Sequence, residues 1–378
     1  MSGLDEIIRD EIAECGPMDF ARYMHLALYH PQHGFYASGR RRTGWEGQFV
    51  TSPELDPAYG RLWAGGLEKI WESCGRPPRF TLIEVGPGEG SFAAAVLEAV
   101  EADFASSLNV LLVERVDAVR RRQRNALEGF GNVEWISSLD EAGEVDCGCL
   151  FANEVIDNIP VRVVENRGGR LVELRVGVSD SHLELVATSP SEEVFEFIAT
   201  MQARLPVGHR VEVPLAALRF ASTAATVISR GAIVLVDYGD DEDGLVQRPA
   251  GTLLCYSDAG VDDRYLEGPG TKDITSHANW SALARAFHEA GAPVAGPKPQ
   301  RDVLKSLGVD ALQDRLRHEA DAALQRGSGA AGIRALSRRG ALGALVDAAG
   351  LGGLGVLAAL KGIPEPAFIA ARSDGAEA

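Results

Sequence analysis

The sequence predicts an α/β protein built on an open, doubly wound parallel sheet. Three observations predict it. Short apolar runs alternate with helical stretches between residues 80 and 152; the runs are apolar almost throughout, as strands buried on both faces must be; and a glycine-rich turn joins the first run to the helix after it. A chain of 378 residues, 46% hydrophobic and 24% charged, can bury at least one large core.

Taken in order, residues 4–13 and 18–29 place apolar side chains at helical spacing (Ile7, Ile8, Ile12; then Phe20, Tyr23, Met24, Leu28), and Gly16-Pro17 separates the two helices. From residue 30 to 57 no period survives, and the segment is too long for an ordinary connection. Its aromatics Phe35, Tyr36, Trp45 and Phe49 suggest a lid, and Arg40, Arg41 and Arg42 form a basic run. A helix at 59–72 leads to a strand at 80–85, the glycine turn, a helix at 91–100, a strand at 109–114, a helix at 116–127 and strands at 133–135 and 147–152. Between residues 160 and 189 the period shortens to about two, in strands at 161–165, 171–176 and 183–188 separated by Arg167-Gly168-Gly169-Arg170 and Ser179-Asp180-Ser181, which is an antiparallel insertion. Helices at 192–203 and 214–229 precede an apolar strand at 232–236, where the parallel sheet resumes and ends in Asp237-Tyr238-Gly239. A polar loop, Ala-rich helices and two terminal strands near 356–360 and 367–371 complete the chain. The implied domains are 1–57 (N-terminal helices and active-site loop), 58–160 (first part of the core), 161–230 (the insertion) and 231–378 (the rest of the core, with helices inserted at 280–347).

Charge narrows the function. Lys and Arg total 37 against 54 Asp and Glu, a net charge of -17 that repels nucleic-acid phosphates and anionic lipid, so neither is an expected partner. Five cysteines without zinc-ribbon spacing argue against disulfides and structural zinc, and His30 and His33 read as turn residues rather than metal ligands. The first residues lack the basic start and apolar run of a secretory signal, so a cytoplasmic location is expected. Residues 341–360 carry Asp347 and a glycine cluster, and read as helix, turn and buried strand rather than a membrane span.

The chemistry centres on Leu82-Ile83-Glu84-Val85-Gly86-Pro87-Gly88-Glu89-Gly90-Ser91. A glycine turn from strand to helix lets a nucleotide-like ligand approach the backbone. A dinucleotide fingerprint requires glycine where Ser91 stands, which disfavours NAD. Glu84 is ill placed beside a pyrophosphate and well placed beside a cation, which points to S-adenosylmethionine, whose sulfonium and amino group are cationic. Glu114 ends the next strand, where such folds put an acid that accepts ribose hydroxyls.

Several segments in order resemble the MidA/NDUFAF7 family of S-adenosylmethionine-dependent methyltransferases: Phe20-Ala21-Arg22-Tyr23-Met24, His30-Pro31-Gln32-His33-Gly34-Phe35-Tyr36, Gly47-Gln48-Phe49-Val50-Thr51-Ser52-Pro53-Glu54, the turn from Glu84 to Gly90, Ala152-Asn153-Glu154-Val155-Ile156-Asp157-Asn158-Ile159-Pro160, Asp237-Tyr238-Gly239, Gly251-Thr252-Leu253-Leu254-Cys255-Tyr256 and Asp273-Ile274-Thr275-Ser276-His277. The resemblance implies a Rossmann-like methyltransferase core with an N-terminal helical segment and an inserted α+β subdomain. It implies methylation of a protein arginine, with a respiratory complex I subunit as the partner. By motif position, Glu84, Gly86, Pro87, Gly88, Gly90 and Glu114 would hold the cofactor, Ser138 and Leu139 would lie near adenine, and Thr51, Ser52, Pro53 and Glu54 would close over it. Asn153, Glu154 and Asp157, with Glu54, would meet the methyl acceptor. Carboxylates suit an arginine acceptor because they hold the guanidinium fork as its proton leaves. The chain departs from the family pattern at Gln48, where Asp is usual, at Val155-Ile156, where an aromatic pair is usual, and at Asp240, where an aromatic residue or His is common. A small-molecule O- or N-methyltransferase, a cofactor-binding assembly factor without turnover and an NAD-linked oxidoreductase remain as alternatives.

Overall fold

The computed structural model describes residues 3–38, 51–180 and 182–370, which divide into two units. One unit comprises Thr43–Asn153, Thr223–Val236 and Phe287–Ala378; the other comprises Met1–Arg42, Glu154–Ser222 and Asp237–Ala286.

The first unit is built on a seven-stranded sheet. Its strands are β1 (Phe80–Val85), β2 (Leu108–Val113), β3 (Val133–Ile136), β4 (Val145–Asn153), β5 (Ile228–Asp237), β6 (Val294–Pro299) and β7 (Gly355–Lys361), in spatial order β6-β7-β5-β4-β1-β2-β3. β1 pairs in parallel with β2 and β4, β2 with β3, and β4 with β5, whereas β6 and β7 are antiparallel. The central strands are apolar runs because helices cover both of their faces. Trp63 of α1 (Ala58–Ser73) and Phe92 of α2 (Ser91–Leu97) meet Phe151 of β4, with ring centroids 4.9 and 4.2 Å apart, and all three side chains are buried. A third helix of this unit, α3 (Asp117–Ala126), connects β2 to β3.

The second unit carries an antiparallel sheet in which Arg162–Arg167, Arg170–Ser179 and His182–Thr188 are the three expected strands. Arg167 pairs with Arg170 across Gly168 and Gly169, whose φ angles of 61° and 91° are those of a tight hairpin turn. Two further strands join the sheet, Arg210–Val213 against Arg162–Arg167 and Met18–Asp19 against Arg170–Ser179. The N-terminal helices span Gly3–Cys15 and Phe20–Tyr29, and the Asp19 side chain caps the second by accepting the Arg22 N–H at 2.8 Å.

Several expectations are corrected. Residues 367–370 of the strand expected at 367–371 form no strand: residues 367–369 make a turn closed by N–H bonds from Ile369 and Ala370 to the Pro366 carbonyl, Phe368 and Ile369 enter the core as turn residues, and residue 371 lies outside the described residues. The antiparallel partner of β7 is instead β6, whose Gly296 and two prolines hide it from any strand pattern. The helix expected to run to residue 229 ends at Val227, because β5 already begins at Ile228, and the helix expected at 91–100 ends at Leu97. In the long N-terminal loop, Tyr36–Ser38 is a short 3-10 turn and Ser52–Leu55 a single helical turn. Arg40, Arg41, Arg42, Trp45, Gly47, Gln48, Phe49 and Val50 lie outside the described residues. Among the described residues no helix is long and apolar enough to cross a membrane, and residues 341–360 are helix, turn and β7.

Candidate functional site

β1 has β2 on one side and β4 on the other, so strand order reverses at its carboxyl end, where a doubly wound sheet opens its binding crevice. Gly86, Gly88 and Gly90 in the turn that follows all have positive φ, and Gly90, at 84°, is the left-handed cap of α2. A side chain at Gly90 would strain the backbone that starts the helix. The turn is held from behind by α3. Gln123, fully buried, donates to the Gly88 carbonyl at 2.8 Å and accepts the Trp135 indole N–H at 3.0 Å, while Arg122 clamps Glu89 through two bonds of 2.8 Å.

Glu84 is 5% exposed, and its Oε2 has no hydrogen-bond partner among the described residues. Burial pushes its carboxyl up to about 8, with the backbone N–H of Ala93 opposing. A buried carboxyl with an unsatisfied oxygen fits a cationic ligand, because the ligand supplies the charge and donors that the protein does not. Glu114 follows β2; burial raises its pKa, opposed by the Val116 N–H at 2.8 Å and by Arg120. Arg120 also donates to the Glu114 carbonyl and to Ser137 Oγ, both at 2.6 Å, which ties the ends of β2 and β3 together. Ser138 then caps a short turn by accepting the Asp140 N–H, and Leu139 is buried. The acid expected to meet ribose and the residues expected near adenine therefore share one edge.

The Thr51-Ser52-Pro53-Glu54 segment belongs to the same unit. Ser52 is fully buried, its Oγ 3.1 Å from Gln300 Nε2, and Asp56 just beyond is held by Arg338 at 3.1 and 3.2 Å. Glu54 Oε1 lies 3.8 Å from where a Cβ on Gly88 would stand, so this carboxylate overlies the glycine turn. Asn153 ends β4 and accepts the Tyr59 hydroxyl at 2.7 Å.

Past Asn153 the chain enters the second unit. Glu154 is half-buried with φ of 51°, a left-handed conformation costing a non-glycine residue roughly 1–2 kcal/mol. Asp157 is buried and its Oδ1 lacks a hydrogen-bond partner among the described residues. Burial, with the negative charges of Asp237, Asp273 and Glu154, holds its pKa well above the usual carboxylate range. Asn158 is gripped by four long-range bonds: Tyr36 Oη donates to its Oδ1 at 2.8 Å, Tyr29 Oη to its carbonyl at 3.0 Å, and its own amide donates to Asp273 at 2.9 Å and to the Ile274 carbonyl at 3.1 Å. The Ser276 N–H donates to the Asp157 carbonyl at 2.9 Å, so the Asp273–His277 motif closes on this turn.

Sequence reasoning assigned no role to Tyr36, Asn158, Asp273, Gln123 or Asp237 in this arrangement. Tyr36, Asn158, Asp237 and Asp273 stood within the family-like segments, and Asp237 carried a further signal, as an ionisable residue at the end of an apolar run. Among the described residues no group of three His, Cys, Asp or Glu side chains is placed to hold a metal ion.

Comparison with known proteins gives the family. A family described as "Putative S-adenosyl-L-methionine-dependent methyltransferase" matches residues 64–298. Among solved structures, a Burkholderia thailandensis protein bound to S-adenosyl-homocysteine superposes with a TM-score of 0.85 at 28% identity, covering 99% of this chain and 95% of that one. Among curated relatives, the Xenopus tropicalis protein named "Protein arginine methyltransferase NDUFAF7, mitochondrial" is 28% identical over 347 residues, 84% of this chain and 78% of the relative. The Homo sapiens protein of the same name is 28% identical over 331 residues, 79% and 72% of the two chains. These relatives are named as mitochondrial, which overturns the expected cytoplasmic location. A low cysteine count is compatible with any reducing compartment and does not distinguish one from another. Because the family match starts within α1, reaches into β6 and so takes in the glycine turn and its acids, the chain belongs to this family: it is an S-adenosyl-L-methionine-dependent methyltransferase, with S-adenosyl-L-methionine as its cofactor.

Proposed function

We propose that this chain methylates an arginine side chain of a protein, with Glu154 as the carboxylate that holds the guanidinium. The observation that carries the reading is Glu154 itself, a carboxylate held in left-handed backbone directly after β4 and followed by the buried acid Asp157. The names of the curated relatives support the same acceptor. Glu84, Gly86, Pro87, Gly88, Gly90 and Glu114 hold the cofactor, with Ser138 and Leu139 toward adenine and Thr51, Ser52, Pro53 and Glu54 covering it. When bound, S-adenosyl-L-methionine supplies an electrophilic methyl group on its sulfonium.

The protein's part is positioning and proton handling. Glu154 would bind the guanidinium fork, orient one nitrogen as the methyl acceptor and take the proton that this nitrogen sheds when the C–N bond forms and the sulfonium's S–CH3 bond breaks, that bond's electron pair staying on sulfur. Burial and its acidic neighbours hold the Asp157 pKa well above the usual carboxylate range, which lessens the negative charge that faces Glu154. Asn153 and Glu54 line the approach. The acceptor we favour is a respiratory complex I subunit, on the strength of the family resemblance.

The test is label transfer from radiolabelled S-adenosyl-L-methionine into lysate of the source organism lacking this gene. The expected result is one labelled protein band that yields methylarginine on hydrolysis and whose labelling slows about 1,000-fold with Glu154→Gln, while that variant still binds S-adenosyl-homocysteine. Label confined to small molecules, or full turnover by Glu154→Gln, would overturn the reading.

A further inference from the structure

The register of two strands brings a second acid to Glu154. β4 and β5 run parallel with Val236 opposite Asn153, so the next residue of each strand, Asp237 and Glu154, leaves the sheet at the same level. Asp237 is fully buried. Its Oδ2 accepts three consecutive backbone N–H groups, those of Val155 at 3.1 Å, Ile156 at 2.8 Å and Asp157 at 3.2 Å, and its Oδ1 accepts the Tyr238 N–H at 2.8 Å. Three successive N–H groups converging on one oxygen form an anion-binding nest, and here the chain fills that nest with its own carboxylate. With both oxygens bonded to main chain and no exposed surface, Asp237 is not placed to touch a substrate. What it touches is the segment immediately after Glu154, whose φ of 51° is one that side-chain-bearing residues rarely keep unless neighbours impose it.

We infer that Asp237 is a positioning residue: by gathering the Val155, Ile156 and Asp157 N–H groups it imposes the left-handed backbone at Glu154 and so sets the direction of the Glu154 carboxylate. The inference rests on the reading of Glu154 as the acceptor carboxylate. Burial pushes the Asp237 carboxyl up to about 7 while the four N–H groups work against it, so near neutral pH part of the population carries the charge that strengthens these bonds. An amide in its place offers one acceptor and one donor group, and the donor must face either the nest or the Tyr238 N–H.

The test is a double-mutant cycle on label transfer into the same lysate, using Asp237→Asn, Glu154→Gln and the pair, with S-adenosyl-homocysteine binding followed by calorimetry. Asp237→Asn is expected to lower the maximal rate about 100-fold, the scale of a misplaced catalytic group, with the half-saturating concentration of S-adenosyl-L-methionine unchanged. The pair is expected to be no slower than Glu154→Gln alone, since a residue acting only through Glu154 has nothing left to position. Asp237→Ser, which keeps one acceptor oxygen without charge, should repeat the pattern. Rate losses that multiply in the pair, full activity of Asp237→Asn, or loss of cofactor binding in both Asp237 variants would overturn the positioning role and leave the Glu154 reading intact. Full activity of Glu154→Gln would overturn both.

Discussion

Burial leaves the Glu84 carboxyl protonated at neutral pH when nothing cationic stands beside it, because its pKa is raised to about 8. A sulfonium or ammonium group binds the ionised form, so binding below that pH expels a proton, and affinity must fall as pH falls. Calorimetry in two buffers of different ionisation enthalpy should show release of up to one proton and affinity for S-adenosyl-L-methionine rising toward pH 8 by as much as about tenfold per unit. Glu84→Gln should bind more weakly and lose this enzyme-borne slope. A wild-type affinity flat between pH 6 and pH 8, on the order of two units below and up to the raised pKa, would show that Glu84 does not face the cation.

At the scale of elements, Gln123 joins the glycine turn, α3 and β3 through its bonds to the Gly88 carbonyl and the Trp135 indole. Replacing it with methionine keeps the volume and removes the partner of an exposed turn carbonyl and of a part-buried indole N–H, at about 1–3 kcal/mol for the two bonds together. Urea denaturation of Gln123→Met should show a loss in that range, and S-adenosyl-homocysteine should bind less tightly because the turn has lost its rear support. Unchanged stability would mean that other groups satisfy both partners. The helix and the turn were legible from sequence, since each has a local pattern. The bridge was not, since nothing near Gln123 in the chain announces a carbonyl in the turn after β1.

At the scale of the molecule, a ligand that binds only the folded chain stabilises it by mass action, by about 2.7 kcal/mol when present at one hundred times its Kd. S-adenosyl-homocysteine should therefore raise the thermal midpoint of the wild-type protein and fail to do so, at the same concentration, with Glu84→Ala. A midpoint that moves with NAD and not with S-adenosyl-homocysteine would contradict the cofactor assignment.

By itself the sequence determined the alternation of strands and helices, the hairpins of the insertion, the glycine turn with Glu84 and Glu114, and through its motifs the family. Each of these is written locally, in apolar period, turn residues or spacing along a few residues. Tertiary structure alone decided what depends on distant segments meeting. It paired β7 with the proline-bearing β6 and made a turn of residues 367–369. It brought Tyr36 and Asp273 onto Asn158, and aimed the Asp237 carboxylate at the three N–H groups after Glu154. The physical reason is that a buried polar group takes its partner from whatever the packing brings near, and strand register, not sequence distance, sets which groups those are.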